Sequence, residues 1–350
     1  MFTGSSGNAI ARWLVVAPAS VALGLLFAWW NVPAGWILAG ILAAGASALL
    51  SGVELPLNRY VNRVGRGTIG MLAGIPLAGV GLRELGGYLA PGLVVAAVVV
   101  GAGIGGGLLL ARTEPEISRE TGVLSMLAGG SSVMPVVARE LGADFRYVAL
   151  SQYLRLLAVS MTLPLVTALF PTPAEVTGGT PVPGVNPYMF PVVLLIAFFG
   201  MNLGRFLRLP SPGIFGPLAV TVVLALTLPP EWSLQPPEFF RVFAFLVVGW
   251  MCGGALSMPA LRLFARQLPI TLAFVVGLSA VCAAVAVPIM HWVDITYFEA
   301  YLATSPGAIE TALALSSEGG AGPAVVAIQL IRLLGVLLIA GYLPRLLRSR

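Results

Sequence analysis

The chain has 350 residues and contains no lysine, one histidine (His291) and two cysteines (Cys252 and Cys282). A single histidine excludes a multi-histidine metal centre and leaves no second one for a nucleophilic triad. Both cysteines lie inside apolar stretches, so no disulfide framework is implied. Charge is the scarcest feature: 9% of residues are charged, against about 25% in a soluble domain. So few charges cannot cover a water-facing surface. Apolar residues make up 58% of the chain and its mean hydropathy is +0.96. Length alone would suggest two soluble domains, but composition makes this a polytopic membrane protein. The net charge of +5 is carried by thinly spread arginines; it is no nucleic-acid footprint and serves instead to read topology.

A helix crossing a bilayer needs about 20 apolar residues. Ten stretches qualify, at 12–30, 33–50, 67–83, 89–111, 147–170, 187–207, 212–229, 239–258, 268–292 and 323–344. Two more, 118–142 and 297–319, are apolar but broken in the middle. The runs are continuous and rich in Leu, Ala and Val rather than alternating, which argues against strands. The longest polar gap begins at Pro171 and reads as a linker over 171–186. The polar N-terminal tail leads into a full span with a later counterpart, so it is not read as a cleaved signal peptide. GRGTIG (65–70) and GAGIGG (101–106) match a dinucleotide-binding pattern. Neither follows a strand, and both read as small-residue helix packing. His291, beside Trp292 near the end of a span, reads as interfacial.

The chain is internally duplicated. LAGGSSVMPVVARELGADFRYVALSQYLRLL (127–157) aligns with TSPGAIETALALSSEGGAGPAVVAIQLIRLL (304–334) at an offset of 177, matching Gly130 with Gly307, Gln152 with Gln329 and Arg155 with Arg332. Gly70-x-x-x-Gly74 matches Gly249-x-x-x-Gly253. The repeats are 1–170 and 187–350, six segments each, the fifth broken. Arginine collects in cytoplasmic loops. Arg59, Arg63 and Arg66 follow segment two of the first repeat, where the second has Glu231 and Glu238. Arg205 and Arg208 follow the second repeat's first segment, where the first repeat has no net charge. Equivalent loops therefore lie on opposite sides. Inversion needs an odd number of crossings per repeat, so the broken fifth segment is re-entrant in both. With both termini cytoplasmic, only Arg83 and Arg241 fall outside, while Arg155 and Arg332 lie within the membrane. The expected architecture is all-α: two inverted repeats of five spans and one hairpin each, embedded in a membrane. Twelve spans in parallel halves is the alternative.

Breaks in mid-membrane are tolerated only where protein or a water-filled cavity receives the freed backbone groups. Inverted repeats with discontinuous helices mark secondary transporters, whose substrate sits between the breaks. The first tip is Gly129, Gly130, Ser131 and Ser132; the second is Ser305, Pro306 and Gly307, followed by Glu310. Free N–H groups at a helix start favour a carboxylate, although two glycine-rich kinks easing helix packing would share this pattern. Arg155 lies roughly 12 Å into its span at 1.5 Å per residue, with Gln152 one turn earlier; Arg332 and Gln329 repeat the arrangement. An arginine at that depth needs a partner. It either holds a substrate carboxylate or caps carbonyls of the adjacent broken helix. Glu310 is the one acid well inside an apolar segment, and its twin is Val133. It could carry a coupling proton, bind an ammonium, or neutralise Arg332 or Arg155.

With its SPGAIETALALSSEGGAGP hairpin and its Q-x-x-R repeated in both halves, the chain resembles the membrane AbrB-duplication family over nearly its whole length. It departs from that pattern at GGSSVM in the first hairpin, and in carrying Gly-Gly-Ala at 319–321 against Gly-Ala-Asp at 142–144. Members carry labels such as ammonia monooxygenase or transcriptional regulator. One histidine cannot supply a copper oxygenase's ligands, and a chain of spans lacks the basic soluble surface of a DNA-binding protein. The expectation is therefore neither an enzyme nor a nucleic-acid binder. It is a homodimeric carrier of a small anionic or zwitterionic solute (an organic or amino acid), embedded in lipid, without a cofactor and coupled to H+ or Na+. The alternative is a non-transporting solute receptor that affects gene expression indirectly; an open channel is third.

Overall fold

In a computed structural model of the chain, residues 6–30, 32, 34–128, 134–173, 186–229, 232–256, 268–307 and 309–347 are described. Among them the secondary structure is helical throughout, with no strand. The first half contributes α1 (Ser6–Trp29), α2 (Gly35–Ser51), α3 (Arg59–Ala78), the short α4 (Leu82–Gly87), α5 (Leu89–Thr113), α6 (Arg119–Met126), α7 (Met134–Glu140) and α8 (Phe145–Thr167). The second contributes α9 (Phe190–Phe206), α10 (Pro212–Thr227), α11 (Glu238–Gly254), α12 (Leu268–Val293), α13 (Tyr297–Thr304), α14 (Ile309–Glu318) and α15 (Pro323–Leu347). Every expected span is a helix, and both broken segments are two short helices.

Four of these helices are long and apolar enough to cross a membrane, and four more are apolar but shorter. Their outward faces are greasy: Leu14, Leu25, Trp29, Phe206 and Val223 are all exposed. Water would penalise such a surface, and lipid does not. The protein is a multi-pass helical membrane protein.

The broken segments begin and end alike because the same local chemistry recurs. Ser118 caps α6 by accepting from Thr121 N, and Thr296 caps α13 by accepting from Glu299 N, completed by the Glu299 side chain as a capping box. At the far ends, Gly142 and Gly320 take left-handed φ values of 72° and 67°. The amide that follows each reaches back five residues, Ala143 N to Ala138 O and Ala321 N to Ser316 O. This corrects the register read from sequence. Gly142-Ala143 corresponds to Gly320-Ala321, an offset of 178, so the apparent Gly-Gly-Ala departure is a one-residue slip. On the same register Glu310 aligns with Ser132 rather than Val133.

The chain folds into two compact units, each drawing on both halves. One comprises Met1–Val80, Leu163–Arg262 and Ile309–Pro323; the other comprises Gly81–Thr162, Leu263–Ala308 and Ala324–Arg350.

In the first unit, glycines fix which helices touch and in which direction. A Cβ at Gly70 would collide with the Ile214 carbonyl and one at Gly74 would crowd Leu218, so α3 and α10 run parallel in close contact. Reciprocally, Gly249 lies on the Ile37 carbonyl and Gly253 on that of Ile41, so α2 and α11 run parallel. Ile37 and Ile214, like Ile41 and Leu218, are 177 residues apart. Leu55 N bonds Gly254 O while Gly65 meets Val247, so α3 runs antiparallel to α11. Helix α1 runs antiparallel to α2, with Gly24 at Trp36 and Phe27 at Gly35, as α9 does to α10, with Gly200 at Pro217 and Gly204 at Pro212.

In the second unit, Gly103 and Gly107 let α6 lie directly against α5. Gly92 meets Ile331 and Gly335 meets Ala96, so α5 and α15 run parallel. Both G-x-G-x-x-G stretches thus serve helix packing. A cluster of Val100, Leu124, Leu127, Met134, Val148 and Val336 forms this unit's core around the first break.

Candidate functional site

The last carbonyls of a helix lack intrahelical partners, and α6 and α13 stop inside the protein where water cannot supply them. Gln152 and Arg155, one turn apart on α8, take up those of α6. Gln152 Nε2 donates to Leu124 O at 2.7 Å and to Leu127 O at 3.0 Å. Arg155 donates to Leu127 O at 2.6 Å and, through Nη2, to Gln152 Oε1 at 2.7 Å. On α15 the same device serves α13: Gln329 donates to Leu302 O, Arg332 to Ser305 O, and Arg332 Nη2 to Gln329 Oε1 at 2.6 Å. Leu124 and Leu302, like Leu127 and Ser305, are 178 residues apart.

Both arginines are buried, Arg155 at 2% and Arg332 at 6% exposure, and neither forms an ion pair among the described residues. Of the two roles open from sequence, the bonds they make are those of caps. Each glutamine donates to the break with its amide nitrogen while its oxygen receives the arginine, which orients both side chains. Ser305 is fully buried and also donates from Oγ to Leu302 O. Pro306 is buried and Gly307 half-buried. Gly129, Gly130, Ser131 and Ser132 lie outside the described residues.

Glu310, in the first turn of α14, finds a partner other than those the sequence offered. Its Oε1 lies 2.8 Å from Nη2 of Arg66 on α3. Starting the helix where the apolar run starts, at residue 67, places Arg66 in a cytoplasmic loop. The helix in fact begins at Arg59, where Asn58 caps it by accepting from Tyr60 N. Arg59, Arg63 and Arg66 then rise along one face at helical spacing. Arg63 donates to Asn202 Oδ1 at 2.5 Å and stacks over Phe198 at 4.8 Å. The spacing was legible in sequence, but the partner 244 positions away was not.

At the other end of α14, Glu318 lies near Glu238 and Arg241 at the start of α11, where Arg241 also pairs with Glu238 at 3.0 Å. Burial pushes the Glu318 carboxyl up to about 8; Arg241 opposes the rise and Glu238 adds to it.

Residues 36–348 match the family described as "Transition state regulatory protein AbrB". The "Putative regulator AbrB" of Escherichia coli (strain K12) is 28% identical over 350 residues, covering 97% of each chain. The "Uncharacterized protein YhjN" of Bacillus subtilis (strain 168) is 28% identical over 245 residues, covering 64% of this chain and 62% of that one.

Proposed function

The chain belongs to the AbrB family, and we propose that it is a secondary transporter of a small carboxylate-bearing solute, an organic acid or amino acid, coupled to protons or sodium. The observation carrying this reading is the matched pair of broken helices, each held open by its own Gln–Arg cap. A cell membrane protein has little reason to stabilise two interrupted helices at equivalent places unless the interruptions are used. Discontinuous helices in repeated halves are the recurring way carriers expose backbone donors to a solute.

The architecture we propose is two inverted repeats, 1–170 and 187–350, joined by 171–186, with ten crossings, two re-entrant hairpins and both termini cytoplasmic. Helix directions support the inversion. Helix α2 runs with α11, α3 runs against α11, and α3 runs with α10. The twins α2 and α10 therefore point in opposite directions. Arg139→Cys and Ser317→Cys, twin positions near the hairpin ends, would then label from opposite faces of the membrane; labelling of both from one face would exclude inversion. The carrier is proposed to act as a homodimer in a bacterial cytoplasmic membrane, without enzymatic activity, cofactor or nucleic-acid partner.

Uptake of labelled organic and amino acids into proteoliposomes, with and without a pH or sodium gradient, tests the reading. Saturable, gradient-driven accumulation is expected. The second reading, a solute receptor acting indirectly on gene expression, draws on the printed name of the Escherichia coli relative. It predicts saturable binding with no flux in the same vesicles.

A further inference from the structure

Arg66 makes its ion pair with half of a carboxylate-binding edge. A guanidinium presents Nε and Nη2 side by side, a fork that matches both oxygens of a carboxylate. Glu310 engages Nη2, while Nε is buried with no partner among the described residues. Within one turn of the same helix, Arg63 Nε and Asn62 Oδ1 are also buried and unpartnered. Buried polar atoms nearly always have partners, and three orphans across five residues mark a place arranged for something further.

The charge balance points to an anion. Among the described residues Arg63 donates to the neutral Asn202 and makes no ion pair, so Glu310 neutralises Arg66 and leaves the Arg63 charge over. The first turn of the 16-residue α10 adds to the excess, since a Cβ at Gly213 would stand 3.5 Å from Nε and Cζ of Arg66. A helix N-terminus carries positive partial charge, which a guanidinium does not relieve and an anion does. The pair is also reachable, with 25% of the Arg66 side chain and 18% of the Glu310 side chain exposed.

We propose that Arg66, supported by Arg63, is a carboxylate-binding fork, and that Glu310 is an internal carboxylate holding it until a solute carboxylate displaces it in bidentate geometry. Displacement releases Glu310, and with it the start of α14, from α3. Asn62 Oδ1, an acceptor among donors, suits a solute bearing a hydroxyl or ammonium beside its carboxylate. The solute class follows from the carrier reading above, while binding at the fork can be tested without it.

Purified full-length protein in detergent would be titrated with acetate, lactate and alanine, and thermal stabilisation read against chloride at equal ionic strength. In Glu310→Gln the fork loses its competitor, so the midpoint for at least one of the three falls about tenfold or more below wild type. Arg66→Ala abolishes the response. If that variant does not fold, Arg66→Gln with Glu310→Gln replaces the pair by neutral amides and should be equally unresponsive. No stabilisation of Glu310→Gln by any of the three, or a response that survives loss of Arg66, overturns the proposal. Binding with the expected dependence but no uptake in vesicles would sink the carrier reading and leave the fork. Uptake indifferent to Arg66 would do the opposite.

Discussion

Replacing the glutamine of a cap should harm the protein more than replacing its arginine. Arg155→Met removes two charge-assisted bonds, of 2.6 and 2.7 Å, each worth about 1.5–3 kcal/mol. It also removes a buried charge whose desolvation costs several kcal/mol, and Leu127 O keeps its bond from Gln152. The net loss is therefore only about 1–3 kcal/mol. Gln152→Leu strips Leu124 O of its side-chain donor and leaves the Arg155 charge buried with one bond fewer. Stranding a buried charge costs about 3–5 kcal/mol. The double variant, with neither charge nor glutamine, should be milder than Gln152→Leu alone. On α15, Gln329→Leu and Arg332→Met should fall in the same order. Thermal unfolding in detergent, followed by tryptophan fluorescence, reads all five variants. If Arg155→Met proves the more damaging single change, or if the two losses simply add, buried charge does not govern the caps.

Gly70→Ala and Gly249→Ala should each lower the melting temperature by several degrees, since a methyl group would meet the Ile214 or Ile37 carbonyl; Gly101→Ala and Gly105→Ala, with nothing within 4 Å, should not. Thr296→Ala removes the hydroxyl of the α13 capping box and should cost about 1 kcal/mol, measurable in the same unfolding assay. Glu318 has a folded pKa of about 8, raised from an ordinary 4.5. Its contribution to stability is thus complete below about pH 4.5 and lost as pH rises through 8. Glu318→Gln removes that dependence, so its melting temperature should gain on wild type between pH 5 and pH 9; a constant difference would contradict the shift.

Element positions were legible because lipid imposes a simple rule: each apolar run of sufficient length became a helix, and Gly and Ser interruptions became breaks. Duplication was legible in Q-x-x-R because both copies meet the same need, orphan carbonyls at a helix end. Three features escaped. The start of α3 was set by Asn58, a polar cap that a hydropathy window ignores, and this error moved Arg66 from a helix to a loop. Register within the hairpins was set by the left-handed Gly142 and Gly320, which sequence alignment placed one residue apart. Grouping into units followed packing across the two halves. Helices α5 and α12 join the unit that holds α6, α7 and α13, while α14 joins the unit of the earlier helices. No periodicity within one segment encodes that choice.

Symmetry separates frame from function in this fold. The two caps, the two glycine pairs and the two left-handed hairpin ends are matched between halves, and each has a structural role in the packing it serves. The Arg66–Glu310 pair is not matched. On the 179-residue offset that aligns the G-x-x-x-G pairs, Arg66 corresponds to Phe245, a buried residue, and Arg63 to Val242. Glu310 corresponds to Ser132. A charge pair at only one of two equivalent places, surrounded by unpartnered polar atoms, is not needed to hold a helix bundle whose other copy does without it. Phe245 marks the place where packing alone suffices. The expectation that follows is directional: neutralising the pair together, as Arg66→Gln with Glu310→Gln, should leave the melting temperature within a few degrees of wild type while removing the response to carboxylates. A large loss of stability in that neutral pair would return Arg66 and Glu310 to the frame.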